Sequence, residues 1–297
     1  MTTSDVAAIS ATDASIQPPI KLVCVEVSKF RRLANIRVDI DDATTILVGA
    51  NNSGKTSILT VLRNFLADSP SFRPFDLSLS QWRRLRALGK AWEDLADDPT
   101  VDIKDKGLWE GQLRELLDCM PFVDLWFDAT EGAYHHVAPF ITSLKWNGGA
   151  VGVRLRLEPA STVATLQALA WRYREARAPI RKMESSGHAW PIDPLDYWLR
   201  QTGDLRKVAV YRLDPAKGPL ARSASTHPQA QELPPNAQPI DMAHVQALIR
   251  VDFVPAQRGL GAEEDDVRSD SGTGRPGLFS SQLLKFARQH LNIATKG

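Results

Sequence analysis

Cysteine is scarce in this sequence, and long runs of apolar residues are missing. The 297 residues include two cysteines, Cys24 and Cys119, too few for a disulfide framework or for a cysteine-rich zinc site. No segment approaches the ~18 apolar residues that a membrane-spanning helix requires. These two shortages predict a protein of the reducing cytoplasm with no membrane partner.

An excess of charge of one sign is also missing. Lysine and arginine number 36 against 35 acidic residues, so the whole chain exerts no general attraction on nucleic acid. A DNA contact would need a local basic patch, and two segments could supply one by neutralising phosphates and stacking on bases. They are Arg83, Arg84, Arg86 and Lys90, and Arg172, Arg174, Arg177, Arg181 and Lys182 with Trp171 and Tyr173 between them. Solvated helix faces are the alternative interpretation of both.

One segment carries a specific chemistry. Residues 46–57 read ILVGANNSGKTS, an apolar run followed by Gly-x-x-x-x-Gly-Lys-Thr and then by apolar residues at helical spacing. In such a phosphate-binding loop, backbone N–H groups and the helix N-terminus face a polyphosphate, the lysine reaches the β and γ phosphates, and the threonine hydroxyl ligates Mg²⁺. The predicted nucleotide-binding residues are Gly49, Asn51, Asn52, Ser53, Gly54, Lys55, Thr56 and Ser57, with Thr56 also the Mg²⁺ ligand.

Strands are predicted before this loop. Residues 22–29 and 35–40 alternate apolar and polar side chains and indicate a β-hairpin, and Thr44 to Val48 indicates a third strand that leads into the loop. Small-molecule kinases and small GTPases usually carry the loop directly after their first strand. The strand order therefore favours an ATP-binding head of the ABC or SMC type over a P-loop small-molecule kinase, which remains the weaker alternative.

The rest of the chain predicts further helices and strands. Helices are expected at 79–92, 161–177 and 193–202 and near the end of the chain, and strands at 122–127, 151–157, 207–213 and 249–255. In the strand at 151–157 the apolar side chains should face inward, and Arg154 and Arg156 outward. The predicted fold class is α/β, a P-loop NTPase with a mixed twisted sheet around the loop helix and an inserted helical and β subdomain.

These elements suggest a division of the chain into five parts. They are a disordered tail (1–19), the first strands with the loop and its helix (20–70), the inserted subdomain (71–213), a flexible loop (214–240), and a returning strand with a mobile acidic loop and a terminal helix (241–297).

The residues around the loop resemble a known family. The run VEVSKFRRL at 25–33, followed by ILVGANNSGKTSIL at 46–59, resembles the N-terminal lobe of RecF/SMC-like ATPases, most closely the overcoming-lysogenization-defect (OLD) family of ATP-dependent endonucleases. Weaker similarity continues at Phe75-Asp76 and at 251–258. The resemblance implies ATP as the nucleotide, a role in DNA repair or phage defence, and a homodimer or a partner ATPase or nuclease half. It also implies that Arg31, at the tip of the hairpin, lies near the nucleotide phosphates, although an exposed turn residue is the alternative.

Two motifs that such an ATPase uses for hydrolysis are not found in the sequence. A Walker B segment is an apolar run that ends in Asp, usually followed by Glu. The two nearest candidates are interrupted, residues 122–128 by Asp124 and residues 208–214 by Arg212, and no Ser-Gly-Gly-like signature occurs. We therefore expect either the N-terminal portion of a longer ATPase or a split, non-hydrolytic subunit that acts as a nucleotide-gated interaction module. No catalytic residue is assigned.

Overall fold

In the computed structural model, the described residues form an antiparallel sheet with helices packed against it. The structure describes residues 20–67, 72–97, 106–160, 162–181, 197, 206–218, 230–234 and 236–252. Contacts group the chain into Met1–Phe253 and Val254–Gly297, and the second unit lies outside the described residues.

Five strands form this sheet in the order β2-β1-β3-β4-β5, and every neighbouring pair is antiparallel. The strands are β1 (Ile20–Phe30), β2 (Leu33–Asp39), β3 (Phe122–Ala129), β4 (Gly149–Pro159) and β5 (Arg206–Leu213). The α/β class and the β1–β2 hairpin are confirmed. The mixed sheet that we expected is an antiparallel one in the described part of the chain, because each of the four strand pairs runs in opposite directions.

One face of the sheet holds the main hydrophobic core. Because side chains alternate along a strand, the apolar residues of β1, β3 and β4 come together on this face. Val25, Val27, Val123, Leu125 and Val153 are all buried there. The inward direction predicted for the apolar residues of β4 is therefore confirmed.

The opposite face of the sheet carries a small apolar cluster and several buried polar side chains. Asp124 of β3 lies directly opposite Arg154 of β4, and the two side chains are 1% and 5% exposed. Their carboxylate and guanidinium form two hydrogen bonds of 2.7 Å, and Phe122 packs against the guanidinium at 3.9 Å. Arg154 and Arg156 face away from the main core, as predicted, but neither stands free in water. Arg154 is buried with its charge neutralised by Asp124, and Arg156 is 17% exposed and paired with Glu158.

Helices follow the hairpin and the loop. They are α1 (Lys55–Leu66), α2 (Leu79–Asp97), α3 (Lys106–Cys119), α4 (Tyr134–Val137), α5 (Thr162–Arg181) and α6 (Met242–Leu248). Helix α1 packs on β1 and β3, while α2, α3 and α5 pack on one another. Helices α1, α2 and α5 were predicted, whereas α3, α4 and α6 were not. For α3 a signal was present, because its buried Trp109 and Leu116 are seven residues apart on one helical face.

One predicted strand is not formed, and the described part of another is irregular. Residues 44–48 have no regular secondary structure, and Ile46 and Val48 are 76% and 89% exposed. A strand needs a neighbour for its backbone groups, and this segment belongs to none of the strand pairs of the described sheet. Residues 249–252 are likewise irregular, and residues 253–255 lie outside the described part.

Several other predictions fall on residues that are not described. These are the tail at 1–19, most of the helix at 193–202, the acidic loop and the terminal helix. Among the described helices, none is both long and apolar enough to cross a membrane.

Candidate functional site

The phosphate-binding loop ends where α1 begins. Gly54 is the N-cap of α1 and has a φ of +99°, a conformation that side-chain-bearing residues rarely adopt. Its neighbour across the fold is the hairpin, since a Cβ on Gly54 would lie 2.9 Å from Leu33 Cδ2. Glycine at this position therefore allows both the turn into the helix and the close approach of β2.

The start of α1 is suited to an anion. Gly54 has no side chain that could cap the first N–H groups, and the first turn carries no acidic residue. An α-helix leaves its first four N–H groups without intrahelical partners and bears a partial positive charge at this end. A phosphate group would satisfy both.

Lys55 is bonded to the loop itself. Its Nζ donates to the carbonyl oxygens of Gly49, at 2.5 Å, and Ala50, at 2.7 Å, and lies 3.4 Å from Ser53 Oγ. The loop is closed further by the Ser53 N–H, which donates to Ala50 O at 3.3 Å, and Asn52 has a positive φ of 69°. Phosphate oxygens carry more negative charge than carbonyl oxygens and are stronger acceptors, so Lys55 could exchange these contacts for a nucleotide.

The remaining predicted residues surround the same point. Asn51, Asn52, Ser53 and Thr56 are exposed, and Ser57 is half-buried in the first turn of α1. The Thr56 hydroxyl is thus on the accessible side of the helix start, as a Mg²⁺ ligand must be. The donor set of this loop fits a magnesium-bound polyphosphate: Lys55 and the N–H groups would hold the phosphates, and Thr56 the metal.

Arg31 lies at the tip of the β1–β2 hairpin, two residues before Leu33. Its Nε and Nη2 are both 2.8 Å from Asp76 Oδ1, and its backbone N–H donates to Asp76 O at 2.9 Å. The guanidinium also packs against the rings of Phe30 and Phe75, at 5.3 and 5.6 Å. Arg31 is therefore a partly buried residue with fixed partners, unlike a freely exposed turn arginine. Its contact with nucleotide remains a prediction.

Sequence reasoning missed the role of Asp76 and Asn64. Asp76 is 2% exposed, and its Oδ2 accepts hydrogen bonds from Asn64 Nδ2 of α1, at 3.2 Å, and from the backbone N–H of Arg73, at 2.9 Å. The sequence did contain a sign of this contact, since the polar residue Asn64 lies on the apolar face of α1. A buried amide requires a polar partner, so a buried acceptor near Asn64 could have been expected.

Other candidate chemistry receives no support from the described residues. The carboxylate of Asp124, within the first interrupted Walker B candidate, is bound to Arg154. No cluster of three or more metal-ligating side chains occurs in the described part of the chain. Burial raises the pKa of the Cys24 thiol to about 12, far from that of a nucleophilic thiolate.

Comparison with known proteins supports the interpretation of the loop. Residues 21–124, about a third of the chain, are similar to the AAA ATPase domain family. A search of curated proteins found no match. The matched range begins in β1, includes the loop and α1, and ends in β3. The similarity supports a P-loop ATPase of the AAA type in the SMC/RecF-like class, with nucleotide binding that usually involves Mg²⁺.

Proposed function

We propose that this protein binds Mg-ATP as the N-terminal ATPase portion of an OLD-like or RecF-like enzyme that acts on DNA, in repair or in phage defence. The observation that carries the proposal is the geometry at the start of α1. Gly54, at φ +99°, precedes a first helical turn without acidic residues, and Lys55 Nζ contacts the loop carbonyls. Lys55 binds the β and γ phosphates, Thr56 binds Mg²⁺, and the N–H groups of 51–54 bind phosphate oxygens.

Lys55→Ala tests this proposal. Loss of a charge-assisted contact costs about 1.5–3 kcal/mol, so ATP affinity should fall by roughly 10- to 100-fold in isothermal titration calorimetry. Lys90→Ala, which removes an exposed lysine from α2, is the matched control and should leave the affinity unchanged. Equal ATP affinity in wild type and Lys55→Ala would refute the assignment.

Because no Walker B motif is found in the sequence, we expect the isolated chain to hydrolyse ATP very slowly. A general base for water attack would have to come from additional sequence or from a partner. Fast steady-state release of phosphate by the purified chain, abolished by Lys55→Ala, would contradict this part of the proposal.

A second candidate function is a split, nucleotide-gated subunit that assembles with a copy of itself or with a partner ATPase or nuclease half. It is favoured by the exposed apolar side chains on either side of the loop, Ile46, Val48 and Leu59. Contiguous exposed apolar residues are typical of interaction surfaces. Light scattering of the chain with and without ATP measures self-assembly, and a pull-down with the neighbouring gene product measures assembly with a partner. If Ile46→Asp changes neither result, the surface is not the interface.

DNA is a further proposed partner. Arg83, Arg84 and Arg86 are exposed on α2, and Arg172 is exposed on α5 beside Trp171, which is 54% exposed. If DNA binds through its phosphates, the logarithm of the binding constant should fall linearly with the logarithm of the salt concentration. Fluorescence anisotropy should show a smaller salt slope for Arg83→Ala and Arg86→Ala together than for wild type. An unchanged slope would exclude this surface.

A further inference from the structure

A buried carboxylate joins the hairpin, the loop helix and the segment that leads into α2. Asp76 Oδ1 accepts from the Arg31 side chain, and Oδ2 accepts from Asn64 Nδ2 and from the Arg73 N–H. Its backbone oxygen accepts from the Arg31 N–H. Both carboxylate oxygens of this side chain are therefore in use, and they connect three separate parts of the chain.

The backbone at the hairpin tip is held in an uncommon conformation. Lys29 and Arg31 have positive φ angles of 58° and 51°, which cost non-glycine residues roughly 1–2 kcal/mol each. Backbone hydrogen bonds to the segment 76–78 offset this cost. The N–H of Ser78 donates to Lys29 O at 3.2 Å, and the N–H of Arg31 donates to Asp76 O. Strained residues that are maintained in this way are concentrated at functional sites.

The hairpin tip lies against the phosphate-binding loop. Leu33 Cδ2 lies 2.9 Å from the position that a Cβ on Gly54 would occupy, and Gly54 directly precedes Lys55. The tip is therefore beside the end of the loop where the β and γ phosphates bind. The guanidinium of Arg31 has five N–H donors, of which Nε and Nη2 approach Asp76. The side chain is 27% exposed, and its Nη1 is not among the atoms that contact Asp76, so the guanidinium keeps donors for an anion.

We propose that Asp76 is a positioning residue that holds Arg31 beside the loop, so that Arg31 contacts the γ phosphate of the bound nucleotide. This inference depends on the proposed ATP binding. Asp76 fixes the direction of the guanidinium through Oδ1, while Asn64 and the Arg73 N–H fix the carboxylate. The nucleotide contact itself belongs to Arg31, and Asp76 acts through it.

The test compares ATP with ADP, because only ATP has the γ phosphate. Isothermal titration calorimetry with Mg²⁺ gives the ratio of ATP to ADP affinity for each variant. Arg31→Ala should lower this ratio roughly tenfold or more. Asp76→Asn keeps the shape of the side chain but cannot accept from both Arg31 and the Asn64 and Arg73 donors, so it should lower the ratio similarly. The double variant should have about the ratio of Arg31→Ala alone.

A purely structural role gives a different pattern. If Asp76 only stabilises the fold, Asp76→Asn lowers the melting temperature while the ATP-to-ADP ratio remains that of wild type, and this result would overturn the proposal. A double variant with a ratio equal to the product of the single effects would also overturn it. Asp118→Asn, in the exposed Arg84–Asp118 pair, is the matched control and should change neither quantity.

Arg31→Lys provides a measurement should Asp76→Asn not fold. It keeps the positive charge but loses the planar fork that Asp76 orients, so it should also lower the ratio. A wild-type ratio in Arg31→Lys would refute the positioning role. If the wild-type protein binds neither ATP nor ADP, the proposed function itself is overturned. If it binds ATP but none of the substitutions changes the ratio of ATP to ADP affinity, only the inference about Asp76 is overturned.

Discussion

Removal of the Asp124 side chain should destabilise this protein strongly. The Arg154 side chain is 5% exposed, and Asp124→Ala removes both of the 2.7 Å contacts that its guanidinium makes to the Asp124 carboxylate. Breaking a buried ion pair from one side typically costs about 3–5 kcal/mol, because an uncompensated charge remains buried. Since Phe122 packs on the same guanidinium, Arg154 has little room to move toward water.

Removal of Arg154 should cost at least as much. In the sheet, Asp124 lies opposite Arg154 on one side and opposite Glu26 on the other. Arg154→Met would therefore leave two buried carboxylates facing each other, and like charges directly opposite in a sheet are destabilising. Asp124→Leu with Arg154→Met replaces both charges by apolar groups and should cost less than either single truncation.

Urea unfolding followed by circular dichroism measures these differences. The matched control is Asp118→Ala, which breaks an exposed pair with side chains 46% and 68% exposed and should cost less than about 1 kcal/mol. A cost below about 1 kcal/mol for Asp124→Ala would refute the idea that the pair is coupled and buried. It would also be refuted if Asp124→Leu with Arg154→Met cost the sum of Asp124→Leu alone and Arg154→Met alone.

Three further predictions concern the loop and the core. Gly54→Ala should weaken ATP binding, because a φ of +99° is strained for alanine and the new Cβ would lie 2.9 Å from Leu33 Cδ2. The control is Gly111→Ala, at a position in α3 with open space around it. This variant should stabilise the protein by about 0.5–1 kcal/mol in thermal unfolding. Thr56→Ala should remove the gain in ATP affinity that Mg²⁺ provides over EDTA in calorimetry, and an unchanged gain would exclude Thr56 as the ligand. Burial raises the pKa of Cys24 from 9.0 to about 12, so the stability that this thiol contributes is fully present below pH 9 and is lost toward pH 12. The free energy of unfolding of wild type should fall over that range by about 1.4 kcal/mol per pH unit more than that of Cys24→Ala, and equal slopes would contradict the assignment.

The local pattern of residues was enough to predict the hairpin, the loop and three of the six described helices, α1, α2 and α5. Gly-x-x-x-x-Gly-Lys-Thr specifies its own backbone geometry, since glycine tolerates the positive φ that Gly54 adopts and the helix that follows has an apolar face. Strands such as β4 were predictable because alternation along a strand is also a local property. The candidate nucleotide-binding residues around Lys55 could therefore be named from the amino-acid sequence alone.

Tertiary structure alone decided which residues meet across the fold. The residues Arg31 and Asp76 are 45 positions apart, and Asp124 and Arg154 are 30 apart, so no local pattern could predict either pair. The same reason explains the two errors described above. Whether Arg154 faces water or a second covered layer, and whether residues 44–48 find a neighbouring strand, depends on distant chain segments that bury charges and pair backbone groups.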